Sequence, residues 1–145
     1  MLFSYNWLQD HLKEKLPKPK ELEELLISHA FEVEEVRRNR NDWVFDIDVL
    51  PNRAHDAQNH AAIAREISAI LGKKLNAVKA NSLKAVKADL PPLTVTVAPK
   101  SLVPRYYALV IEGIQVGESP KWLKDRLASV RINSINNIVD ITNYA

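Results

Sequence analysis

The sequence predicts an α+β protein built of two parts, and three observations point there. Leucines spaced four apart near the N-terminus give way to strict apolar alternation and then to helical spacing again. A tight polar turn, Asn39-Arg40-Asn41-Asp42, separates two alternating segments, which predicts a hairpin. A lysine-studded stretch closing on Pro91-Pro92 then interrupts the pattern before a second set of strands and helices. The reading is a small helix-hairpin-helix domain of winged-helix-like character over residues 1–72, a linker over 73–92, and a second, mixed α/β segment over 93–145.

Ser4 suits a helix N-cap, and the spacing of Leu8, Leu12 and Leu16 predicts a helix from Tyr5 to Leu16, stopped by Pro17 and Pro19. A second helix is expected from about Lys20 to His29. Its apolar face carries Leu22, Leu25 and Leu26, and Glu21, Glu23 and Glu24 favour the positive end of its dipole. His29 reads as a packed cap rather than a ligand. Phe31 to Arg38 reads as a strand, and in the next one Trp43, Phe45, Ile47 and Val49 define the buried face. Asp46 and Asp48 share the other face, and a solvated polar face explains them better than a metal or catalytic carboxylate pair.

Pro51-Asn52-Arg53 closes that strand. A third helix follows, starting near Asp56 or Asn59, with Ile63, Ile67, Ile70 and Leu71 on its apolar face and Gly72 as its left-handed cap. His55 and His60 are five apart, the wrong spacing for two zinc ligands on one helix face, and no metal is predicted. Asn76 to Ala88 is compatible with a short irregular helix. Leu93 to Val97 and Arg105 to Glu112 read as strands, with Tyr107, Leu109 and Ile111 on one side of the latter. Ser119 with Pro120 then starts a helix bearing Trp122, Leu123 and Leu127, and Ser134 is expected to cap the last one.

That last stretch, Ile135 to Tyr144, holds the densest polar cluster in an otherwise apolar pattern. Ile135, Ile138, Val139 and Thr142 recur at helical spacing while Asn137, Asp140 and Asn143 leave at other angles. Asn and Asp weaken a helix and are unfavourable when buried without partners, so the pattern predicts a helix lining something.

Composition excludes several classes. With 46% hydrophobic and 26% charged residues the chain is that of a soluble globular protein, and no apolar run approaches the roughly 20 residues of a membrane span. The absence of cysteine removes disulfides, thiolate metal sites and a thiol nucleophile. The first residues lack the features of a signal peptide, so a cytoplasmic location is expected. Net charge is only +2, yet residues 1–71 hold 9 Lys/Arg against 13 Asp/Glu and residues 72–145 hold 11 against 5. The basic second half predicts either a nucleic-acid contact or a solvated linker.

Several of these residues, in order, resemble one family. Phe3 to Leu8, Phe31-Glu32-Val33-Glu34, Pro51-Asn52-Arg53 and Ile63 to Ile67 are similar to the N-terminal region of the bacterial phenylalanyl-tRNA synthetase beta subunit. Arg105-Tyr106, Ser119 to Leu123 and Ile135 to Tyr144 resemble the start of its editing domain. The likeness runs from Leu2 to Tyr144. Three departures stand out. The family's inserted oligonucleotide-binding barrel is replaced by the turn at 39–42; Ala54-His55 precede Asp56 and Gln58-Asn59 replace the usual pair; and the family continues beyond Tyr144, which marks the chain as the N-terminal piece of a longer product.

The resemblance implies a ligase that joins phenylalanine to tRNA, with an alpha subunit, the remainder of beta, and tRNA as partners and no membrane. A pocket sized for phenylalanine rejects tyrosine only about a hundredfold, so the beta subunit hydrolyses mischarged tyrosyl-tRNA at a second site. By motif, Thr142 and Asn143 are expected in the wall of that editing pocket, neither as a nucleophile. Asn136, Asn137 and Asp140 are expected to support it by hydrogen bonds, and Arg105 is a candidate tRNA contact. No catalytic residue and no cofactor is assigned to this chain; ATP and Mg²⁺ belong to the complete enzyme. The other readings are a stand-alone winged-helix-like nucleic-acid-binding module and, behind it, a free-standing editing factor.

Overall fold

The computed structural model describes residues 1–76, 93–99, 102–103, 105–108 and 110–145. The chain forms two compact units, one of residues 1–78 with 117–145 and one of residues 79–116. The first is a mixed α+β unit. Its three-stranded antiparallel sheet has the order β1-β3-β2, with β1 Leu2–Ser4, β2 Glu32–Asn39 and β3 Asp42–Asp48. Among the described residues five α-helices accompany it, α1 Tyr5–Asp10, α2 Pro19–His29, α3 His60–Leu71, α4 Lys121–Ser129 and α5 Asn137–Tyr144, with a short 3-10 turn at Pro51–Arg53.

β2 and β3 pair from Glu32↔Asp48 to Asn39↔Asp42, with a bulge between Val33 and Glu35. Arg40, at the turn, sits at φ 53°, in the left-handed region. β1 pairs with β3 through Phe3↔Phe45 and Ser4↔Val44. That register puts Phe3, Phe45 and Ile47 on one face, where they meet Leu22 and Leu26 of α2 and Ile63 and Ile67 of α3 in the main core. The opposite face is covered too. Ser4, Asp42 and Val44 are buried there while Trp43, expected inside, is 37% exposed at the sheet's end.

α2 and α3 match the residues that predict them. Pro19 occupies the first turn of α2, where its missing N–H is not needed. Asn59 caps α3 by accepting the Ala62 N–H at 2.8 Å, and Gly72 ends it at φ 63°, a conformation that glycine adopts without strain. α1 is shorter than predicted. Its N-cap is as expected, the Ser4 hydroxyl accepting the Trp7 N–H at 3.0 Å. After Asp10, however, the backbone leaves the helix to bond a distant segment: Lys13 N–H to Lys74 C=O and Asn76 N–H to His11 C=O. Leu12 and Leu16 still reach the core, from irregular backbone held by the Gln9 amide, which accepts the Leu16 N–H.

The second segment differs more from expectation. Leu93 to Val97 and the described residues of 105–112 form no strand. Their side chains alternate, but strand backbone needs a neighbouring ladder, and among the described residues they have none. Leu109 and the expected helix over 76–88, apart from Asn76, lie outside the described residues.

Candidate functional site

The most elaborated polar structure lies around α5, in the first unit. Asp140 is its only buried residue, fully shielded from solvent. The carboxylate accepts the Ile135 N–H at 2.9 Å, the Ser134 hydroxyl at 2.5 Å and the Ser119 hydroxyl. Burial alone would push this carboxyl up; the Ser119 and Ser134 hydroxyls and the Ile135 amide overcome that and hold it below the ordinary carboxylate value. Neither serine caps a helix, contrary to expectation. α4 starts after Pro120 with no side-chain cap, and the cap of α5 is Asn136, whose Oδ1 accepts the Ile138 and Val139 N–H groups at 3.0 Å each. Both hydroxyls turn instead to the buried charge, where an unpartnered carboxylate would be far more unfavourable than an uncapped helix end.

Asn137 faces the other way along the chain. Its Oδ1 accepts the Gly117 N–H at 3.0 Å and its own N–H donates to Gly117 C=O at 2.9 Å, a reciprocal pair. Thr142 is exposed and donates back to Val139 C=O at 2.7 Å. Asn143 is exposed and lines a cleft. Ile135 is 70% exposed and Thr142 is exposed while Ile138 and Val139 are half-buried, so the positions expected to pack do so only in part. Arg105 lies in the second unit and is exposed.

α5 is fastened at its far end by rings. Tyr144 stacks on Trp7 of α1 at 4.6 Å between centroids, Trp7 stacks on His60 at 3.7 Å, and Trp122 meets Tyr144 edge-on. Trp7, Leu123 and Leu127 form a second small core with Tyr144 packed against it. The rings of Trp7, His60 and Tyr144 wall a cleft of about 290 Å³ together with Phe3, Gln58, Ile132 and Asn143. His60 is 7% exposed, and its Nε2 accepts the Ser4 N–H at 2.9 Å. Burial, with the nearby charges of His11 and Arg126, lowers its pKa to about 3, so the ring is neutral and its proton is on Nδ1.

The Ser4 hydroxyl donates to Asp42 at 2.5 Å, and Asp42 also accepts the Asn6 N–H. Serine, histidine and aspartate thus meet, but His60 accepts a backbone amide rather than the hydroxyl proton, so the group is not a nucleophilic triad. At the other end of the hairpin, Arg53 binds Asp56 and Glu66 and lies over the Phe31 ring at 5.1 Å. Among the described residues no three His, Asp or Glu side chains gather as a metal-holding group. His55 is exposed beside Asp56, apart from the cleft's His60.

Sequence reasoning singled out α5 but not its partners. Ser119 is 21 residues from Asp140, and Trp7 is remote from Tyr144; the one local signal was an aromatic at each end of a chain rich in polar helix ends.

Residues 102–145 match the family model of the B3/4 domain, a domain of phenylalanine--tRNA ligase beta subunits. Curated relatives carry that subunit's name. The chain is 42% identical to the phenylalanine--tRNA ligase beta subunit of Bdellovibrio bacteriovorus over 104 residues, 72% of this chain and 13% of the relative. It is 44% identical to that of Porphyromonas gingivalis over 110 residues, again 72% and 13%. It is 35% identical to that of Rhodopirellula baltica over 144 residues, 99% of this chain and 21% of the relative. No solved structure matches the chain. It spans about an eighth to a fifth of the length of these relatives, from 13% to 21%, and on these likenesses it belongs to the phenylalanine--tRNA ligase beta-subunit family.

Proposed function

We propose that this chain is the N-terminal part of the beta subunit of a phenylalanine--tRNA ligase, comprising a winged-helix-like unit over 1–72, a linker over 73–92 and the start of the editing domain over 93–145. In the assembled cytoplasmic enzyme the beta subunit, with its alpha partner, scaffolds the complex, helps bind tRNA and removes tyrosine attached in error. The observation that carries this reading is the build of α5. Asn136, Asn137 and Asp140 fix one side of the helix by hydrogen bonds, while Thr142 and Asn143 remain exposed on it. A specificity site needs polar groups held rigidly by supporting contacts, and α5 has that construction.

In this reading Thr142 and Asn143 form one wall of the editing pocket and position the aminoacyl group or a water, and Arg105 contacts a tRNA phosphate. The residues present do not fit ATP or Mg²⁺: no metal-holding cluster exists among the described residues, and the three glycines, Gly72, Gly113 and Gly117, are too scattered for a phosphate-cradling loop. Both belong to other parts of the enzyme, and adenylate formation is assigned there.

The test is deacylation of tyrosyl-tRNA by the reconstituted alpha/beta enzyme whose beta subunit carries this sequence. Thr142→Ala or Asn143→Ala is expected to slow it by roughly tenfold or more, the scale for losing a positioned polar group at a reacting centre. Wild-type deacylation in both variants would sink the assignment. The isolated chain is expected not to deacylate tyrosyl-tRNA, and turnover by it would show that the missing walls are dispensable.

A further inference from the structure

The ring-walled cleft has a chemistry that the proposed editing role does not use. Its polar side carries a set of donors beside the acceptor oxygens of its carboxamides. The imidazole of His60 spends Nε2 on the Ser4 N–H, so Nδ1 carries hydrogen. Among the described residues that N–H meets no acceptor, and since none of them leaves a fully enclosed side-chain nitrogen or oxygen unpartnered, Nδ1 reaches open space. His60 is more than nine-tenths buried and lines the cleft, onto which Nδ1–H opens.

A second set of donors stands beside it. His60 and Ala61 open α3, a helix of 12 residues, and both line the cleft. The Asn59 side chain and carbonyl take the N–H groups of Ala62 and Ile63, leaving those of His60 and Ala61 at the positive end of the helix. The carboxamides of Gln58 and Asn143 add further donor capacity at the rim. Facing these groups are Phe3, Val130, Ile132 and the Tyr144 ring.

We propose that this cleft binds a small carboxylate with an apolar body, the carboxylate accepting from His60 Nδ1–H and the first-turn amides of α3, and the body lying along Phe3, Val130, Ile132 and Tyr144. Three features favour that class over others. The His60 ring N–H and the free amides of the α3 first turn suit a group that accepts through two oxygens, whereas a nucleobase edge presents donors as well. Both faces of Trp7 are already covered, by His60 and by Tyr144, so that indole has no face left for a base to stack on. At about 290 Å³ the cleft lies at the small end of the roughly 300–1,000 Å³ range of ligand pockets, room for one ring and a short arm. The inference does not depend on the editing assignment, since its donors come from α3 and not from α5.

The experiment is a titration of the ¹⁵N-labelled chain with 3-phenylpropionate, its neutral amide 3-phenylpropanamide, and acetate. Saturable shifts are expected at the His60 and Ala61 amides and the Trp7 indole N–H, with the amide and acetate each weaker by roughly tenfold or more, the scale of a lost charge-assisted hydrogen bond or a lost apolar body. Ile132→Trp, which fills the cleft from a half-buried position, is expected to abolish the shifts. His60→Gln should weaken binding, and because it also disturbs the Ser4 amide, Ile132→Trp serves as the variant independent of that contact. Shifts that never saturate, equal binding of carboxylate and amide, or undiminished binding by Ile132→Trp would each overturn the proposal.

Discussion

α3 and α5 are both opened by an asparagine cap, and there the likeness ends. α3 buries His60, Ala62, Ile63, Ala64 and Ile67; α5 buries one residue, and it is a carboxylate. The first is held by apolar area removed from water, which is non-directional and tolerates small displacement. The second is held by three donors converging on Asp140, by the Gly117–Asn137 pair and by one ring stack, all of which depend on angle and distance. Apolar packing sets the stability of the unit, and directional polar contacts set the aim of a single helix.

Breaking α3 should therefore be felt everywhere. Ile63→Ala removes a fully buried side chain from the main core and is expected to lower the unfolding free energy by about 3 kcal/mol, read as a shift in urea midpoint with the slope unchanged. Acidification probes the same helix through its first residue. His60 titrates near 3 folded and near 6.5 unfolded, so the unfolded chain binds the proton first and stability falls as pH drops below 6.5. His11, also lowered by burial, acts in the same direction, and Arg126 helps keep His60 neutral. About 2 kcal/mol should be lost between pH 7.5 and pH 5, and His60→Gln should remove most of that slope.

Matching cap deletions separate the two helices. Asn59→Ala should lower global stability by about 1 kcal/mol, whereas Asn136→Ala, with the same loss of a side-chain acceptor, should leave the urea midpoint nearly unmoved and fray α5 alone. Asp140→Asn sharpens this further. The amide cannot accept three donors as the carboxylate does, so amide exchange over Ile138 to Tyr144 should quicken by roughly tenfold while α3 stays protected. Equal acceleration in both helices would show that they unfold as one.

What the sequence allowed one to read follows the same division. α2 and α3 were legible because caps, period and terminators are all local, as Pro19, Asn59 and Gly72 show. The premature end of α1 was not, because the bonds that replace the helix come from Lys74 and Asn76. β1 was missed since three residues carry no period of their own. At the candidate site the polar residues of α5 were visible as an oddity, but the serines that Asp140 recruits were mistaken for caps, a role the same side chain fills equally well in sequence.

The turn between β2 and β3 has a consequence for what this sheet can accommodate. Asn39 and Asp42 are paired in the ladder and only Arg40 and Asn41 join them, on the exposed rim of the sheet. Any module spliced there enters and leaves through one gate a few ångströms wide. The host sheet need not change register to admit it, and since closure entropy rises by only about 0.6 kcal/mol for each doubling of a flexible loop, a guest domain that folds with its own ends together adds little burden. The position is a socket that can lengthen while the body that carries it keeps its fold.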